Sequence, residues 1–143
     1  MSNKAQLGGD AGFVALELAL GVAVLLLPVA AIVLTIPTWS ERQTTARAIA
    51  REVARIVARD GLCDTVVATG LATVMAANLG VRRDDVTVDL ECAPGAPLPP
   101  GGSVQVDVTV RMPAVHLPAL GTIGEWRWTA RHREPVDLYG SAP

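Results

Sequence analysis

Residues 13–36, FVALELALGVAVLLLPVAAIVLTI, form an apolar run interrupted by one charge, Glu17. An α-helix rises about 1.5 Å per residue, so these 24 residues reach about 36 Å, more than the roughly 30 Å of a bilayer's hydrocarbon core. The run therefore predicts a single N-terminal transmembrane helix. Pro28 is compatible with that, because neighbouring groups in a membrane helix can satisfy the carbonyl a proline frees. Trp39 follows the run, where an indole favours the membrane interface.

On either side the composition changes. Residues 1–12 are polar and contain glycine, as expected of a short flexible leader. Beyond Pro37 a helical period persists: Ala46, Ile49, Ala50, Val53, Ile56 and Val57 recur at three- and four-residue spacing. This predicts an amphipathic extension over residues 37–61, with Ser40 as its N-cap if Pro37 breaks the helix and Gly61 as its stop. A second helix is expected over residues 65–79, ended by Gly80 and weakened by Gly70.

The period then changes to two. Val86, Val88 and Leu90 alternate with polar residues, as do Val104, Val106, Val108 and Val110, and then Trp126 and Trp128. Residues 93–102 and 113–124 are rich in proline and glycine, so both are expected to be long loops. The expected fold is α+β. A transmembrane helix with an amphipathic extension precedes a short helix and a three-stranded antiparallel sheet, the last two in a small domain of residues 62–143.

The net charge of −2 gives no support for nucleic-acid binding. Arginine occurs eleven times against one lysine, a bias that reads as base composition rather than function. Arg47, Arg51, Arg55 and Arg59 form a stripe at four-residue spacing, read either as a solvated face or as a site for an anionic partner. Cys63 and Cys92 are the two cysteines. In an exported domain they are expected to form a disulfide; in the cytoplasm they would be unpaired. No CxxC exists and His116 and His132 lie far from both, so neither a metal site nor another cofactor is expected. No GxSxG, HExxH or P-loop is present, and catalysis is not expected. Asp84 and Asp85 read as solvated turn residues, and His132 as a core or rim residue of the last strand.

The remaining signal is local. Gly12-Phe13-Val14-Ala15-Leu16-Glu17 places a polar leader ending in glycine before a phenylalanine, with glutamate fifth in the apolar run. This resembles the class III signal of type IV pilin-like proteins. The residues GFVALELALGVAVLLLPVAAIVLTIPTWSERQTTARAIAREVARIVA and the ending ARHREPVDLYG resemble TadE-like pilus-assembly proteins in particular, over about a third of the chain at the N-terminal end. The resemblance implies cleavage by a prepilin peptidase between Gly12 and Phe13. It implies that Glu17 pairs with a neighbouring subunit's new amine as helices bundle. It also implies partners: membrane lipid, the peptidase, other pilin-like subunits and the Tad inner-membrane machinery. Many TadE-like helices carry a proline about six residues after the glutamate, whereas Pro28 comes eleven after it. TadE, TadF and other minor pilins thus remain alternatives.

The expected location is the bacterial cell membrane, with a single pass, the C-terminal domain outside and incorporation into a pilus as a further step. Arg42 and Arg47 after the helix, against Lys4 before it, argue the opposite orientation by the positive-inside rule. Two other classes stay open: a secreted binding domain released by signal peptidase near Val29-Ala30-Ala31, and a single-pass protein with a cytosolic lipid-binding domain.

Overall fold

The computed structural model describes residues 10–117 and 121–138. Helix α1, Asp10–Asp60, is one unbroken helix of 51 residues, about 76 Å long at 1.5 Å per residue. Asp10, Ala11 and Gly12 belong to it, so the last residues of the expected flexible leader are helical; residues 1–9 lie outside the described part. The helix also runs through Pro37. Ser40 is consequently no N-cap, and its carbonyl accepts a bond from Thr44 Oγ1 at 2.8 Å. Gly61 ends α1 as expected, at φ 67°.

Helix α2 spans Thr65–Asn78. Asp64 caps it, accepting from the N–H groups of Val66 and Val67 at 2.9 Å each, which satisfies two of the donors a helix start leaves open. A 3-10 turn, Arg83–Asp85, leads into strand β1, Val86–Leu90. Strands β2, Ser103–Leu117, and β3, Gly121–Pro135, complete an antiparallel sheet in the order β1-β2-β3.

The stretch 113–124, expected as a long loop, is instead mostly strand. β2 and β3 pair from Ser103↔Pro135 out to Leu117↔Gly121. The geometry explains how Pro113 is tolerated. Gln105 O accepts from Glu91 N, so odd-numbered residues of β2 turn their backbone groups toward β1, and even-numbered ones toward β3. Pro113 is odd, and β1 pairs with β2 only as far as Val86↔Val110. The N–H that proline lacks would have pointed to a side where no strand remains, the one place a strand accepts proline without losing a ladder bond. Gly124, at φ 69°, sits opposite Ala114, where an added Cβ would come within 3.1 Å of the alanine Cβ. The expected loop 93–102 is a loop, tied to the α1–α2 corner by Cys63 N to Ala96 O and Leu98 N to Gly61 O.

Period-two and period-four stripes meet in one core. Val104, Val106, Val108, Val110 and Met112 of β2 are buried against Ala46, Ile49, Ala50, Val53, Ala54 and Val57 of α1. Ala68, Ala72 and Ala76 carry the buried face of α2. Alanines at four-residue spacing let that helix sit close, in a domain whose core is otherwise aliphatic and small. Ala72→Leu is therefore expected to overpack the site and cost about 1–3 kcal/mol, read by denaturant titration of the detergent-solubilised chain. Cys63 and Cys92 are bonded, with Cα atoms 6.0 Å apart, joining the start of α2 to the end of β1.

Candidate assembly interface

From Phe13 to Ile36 the apolar side chains of α1 lie open. Phe13 is 69% exposed, Leu16 67% and Leu27 68%, and no part of the folded domain covers them. This is one helix long and apolar enough to cross a membrane. Burying it in lipid is the bland consequence; Glu17 is the exception. Its carboxylate is exposed on this surface and has no partner among the described residues. A single turn separates it from Phe13. Two turns into the helix, beyond the reach of the helix dipole, a carboxylate in hydrocarbon is penalised unless it finds a partner. Pro28 and Pro37 leave the carbonyls of Val24 and Val33 without an intrahelical donor, since each proline lacks its N–H.

Where α1 leaves the apolar zone, its side chains close the sheet. Past the end of β1 the carbonyls of Arg111 and Pro113 have no strand to bond. Arg42 Nη1 donates to Arg111 O at 2.7 Å, and Trp39 Nε1 donates to Pro113 O at 2.6 Å. Trp39 also meets Trp126 edge-on, with ring centroids 6.2 Å apart. The residue expected at the membrane interface is thus half-buried in the domain. Asp85 is not a solvated turn residue either: its side chain is 13% exposed and lies 3.5 Å from Arg42 and 3.8 Å from Arg111. Asp84 is exposed, as expected. These contacts grip the helix one turn beyond Pro37, which explains why the proline does not uncouple the two halves.

Arg42→Met removes the donor to Arg111 O and one of two cations at Asp85. The expected loss is about 2 kcal/mol, because nearly buried acceptors are left unsatisfied. Arg42→Lys is expected to recover part of the loss, since a single nitrogen, Nη1, makes both contacts and an ammonium on a shorter side chain replaces it incompletely. Thermal unfolding followed by tryptophan fluorescence reads this, Trp39 and Trp126 being at the site.

The arginine stripe divides. Arg47 lies over the Trp128 ring at 5.1 Å, and Arg55 pairs with Glu52 at 2.6 Å. The hydrogen bond and charge of Glu52 hold Arg55 above its ordinary pKa. Arg51 and Arg59 are exposed. This is a mostly solvated face with one ring contact. His132 is a rim residue, 3.0 Å from Glu134. The side chain of His116 lies outside the described part. No group of His, Cys, Asp or Glu suited to a metal occurs among the described residues.

A further surface escaped the sequence reading. α2 carries no charge over its length, and Val66, Val67 and Val74 on its outer side are exposed. The sequence signal for it is the absence of any charged residue from Thr65 to Asn78, although Thr69 and Asn78 leave polar positions on the exposed side.

The structure thus brings Glu17 and Phe13 onto one exposed apolar helix and keeps Cys63 and Cys92 remote from them, at the domain's far end. Gly12 precedes Phe13 within the same helix. Comparison with known proteins gives no match to a family model, to a curated protein or to a solved structure.

Proposed function

We propose that this chain is a pilin-like minor subunit, or assembly factor, of a Tad/Flp-type type IV pilus or a related secretion machine. The observation that carries the proposal is Glu17. It is the one charge in an otherwise apolar membrane-length run and stands five residues beyond Gly12. An anchor needs no carboxylate there. A subunit that bundles does, because cleavage after Gly12 creates a positive amine on Phe13 that a neighbour's Glu17 can neutralise. Pairing then favours the packed state over the isolated helix. The TadE-like pattern of residues and the continuity of α1 from membrane into domain support this reading, in which nothing is turned over and no cofactor is held.

The domain is proposed to lie outside the cytoplasm. A disulfide persists in oxidising compartments, and Cys63–Cys92 is placed to form one. The positive-inside count opposes this; of its two cations Arg42 is partly buried on Arg111 O, while Arg47 stays exposed over the Trp128 ring.

The test is processing. Co-expressed with an active prepilin peptidase, the chain is expected to lose residues 1–12, and with an inactive peptidase to keep them. Gly12→Val is expected to block the cleavage, read as a gel shift. Persistence of the full-length form beside the active enzyme would contradict the proposal.

A further inference from the structure

The sheet has two open edges, and they are opposite in charge. On β3 the odd-numbered residues turn their backbone N–H and C=O outward. Arg127, Thr129, Arg131 and Arg133 have no backbone partner on that side among the described residues. On β1 the even-numbered residues turn outward, and Val88 likewise has none. On the solvent face the side chains run in rows across the three strands. One row is Asp89, Asp107 and Arg131, another is Thr87, Thr109 and Thr129. Glu91, Gln105 and Arg133 form a third. Two of the three rows begin acidic on the β1 side and end basic at β3.

We infer that the β3 edge of one copy receives the β1 edge of a second copy, continuing the sheet head to tail. Three independent constraints agree on this junction. The first is charge. β3 against β3 would set arginines opposite arginines, and β1 against β1 would set carboxylates opposite carboxylates, both unfavourable. Only β3 against β1 sets Arg131 beside Asp89 and Arg133 beside Glu91.

The second is parity. In a parallel ladder a residue that turns its backbone groups toward its neighbour sits beside one that turns them away. Odd residues of β3 turn outward and odd residues of β1 turn inward, so Arg131 beside Asp89 and Thr129 beside Thr87 is an allowed parallel register. It also keeps both side chains on the same face. An antiparallel junction would pair odd with even and put α1 of the second copy on the opposite face.

The third is the membrane. Copies anchored by the same helix point the same way across the bilayer, which favours a parallel junction over an antiparallel one; the twist of the sheet, about 20–25° per strand, is then taken up by flattening or by tilt between copies. The contact is heterologous, so it repeats from copy to copy rather than closing a two-fold dimer. Long open edges are otherwise a liability. This inference concerns the sheet rather than the bundled helices, and it holds on either side of the bilayer, so it stands apart from the pilin reading.

The test is cross-linking of the full chain in liposomes. Thr87→Cys and Thr129→Cys are separated within one copy by β2, about 10 Å, beyond the reach of a disulfide. Under mild oxidation a mixture of the two single variants is expected to give a dimer, the double variant a ladder, and each single variant alone only background. Thr109→Cys in place of Thr87→Cys, one strand inward, is expected to give background too. Adding Arg133→Glu to the Thr129→Cys chain, or Glu91→Arg to the Thr87→Cys chain, is expected to cut the mixed dimer severalfold, and both together to restore it. Three results would overturn the inference: no mixed dimer, Thr129→Cys alone cross-linking as well as the mixture, or a yield indifferent to the charge changes. The first would leave the arginines as guards against pairing. Processing at Gly12 is unaffected by any of these outcomes.

Discussion

Glu17→Gln is expected to leave the chain inserted in the membrane and to reduce its assembled fraction roughly tenfold or more. Glutamine keeps the shape and removes the charge. A carboxylate at the centre of a membrane helix costs about 2.5–3.5 kcal/mol, less toward the interface, so insertion becomes easier in the variant, not harder. What is lost is the attraction to a neighbour's amine, and about 1.4 kcal/mol already corresponds to a tenfold change in association. Glu17 has no partner of its own among the described residues, so no intramolecular bond is broken by the change. The two fractions separate by shearing filaments from cells and blotting the sheared and membrane pools. A glutamine variant that partitions like the parent would show that Glu17 only reaches for headgroups.

The second large effect is expected from Cys63→Ala with Cys92→Ala. The disulfide spans 29 residues, and closing a loop of that size contributes about 3 kcal/mol in the chain-entropy model. For a domain this small that is a large share of the total, and the midpoint of thermal unfolding is expected to fall by roughly 15 °C. The corner does not dissolve outright, because Cys63 N and O remain bonded to Ala96 and Gly95. Alanine suits the fully buried Cys63 position better than serine, whose hydroxyl would need a partner there. The same pair reports on orientation. In intact cells an impermeant thiol reagent is expected to label the partly exposed Cys92 only after reduction. Labelling that requires lysis and no reductant would place the domain in the cytoplasm, and the alanine variant would then lose little stability.

Much of this architecture could be read from residue order. The apolar run, the four-residue spacing from Ala46 to Val57 and the alternating valines name the membrane helix, its buried face and the central strand, because each is set by a local period. The exposed face of β3 and the disulfide followed from alternation and from cysteine number. What was not readable depends on contacts between distant segments. Pro113 looks like a strand breaker until one knows that β1 begins only at Val86, opposite Val110, and that the proline's missing N–H faces no neighbour. Trp39 looks like an interfacial anchor until Pro113 O is found 2.6 Å from its indole. Asp85 looks like half of a solvated pair, yet its position between Arg42 and Arg111 arises only when helix and sheet meet. For the proposed assembly site the balance is reversed: Gly12, Phe13 and Glu17 are conspicuous in the sequence, and the fold adds that the helix surface from Phe13 onward is left open.

The most direct measurement is the mass of the mature N-terminal peptide from chains isolated out of native membranes. The account predicts a peptide beginning at Phe13, with the amine free or methylated. A peptide beginning at Ile32 would mean ordinary signal-peptide release, and one beginning at Met1 would mean an unprocessed anchor; either would contradict it.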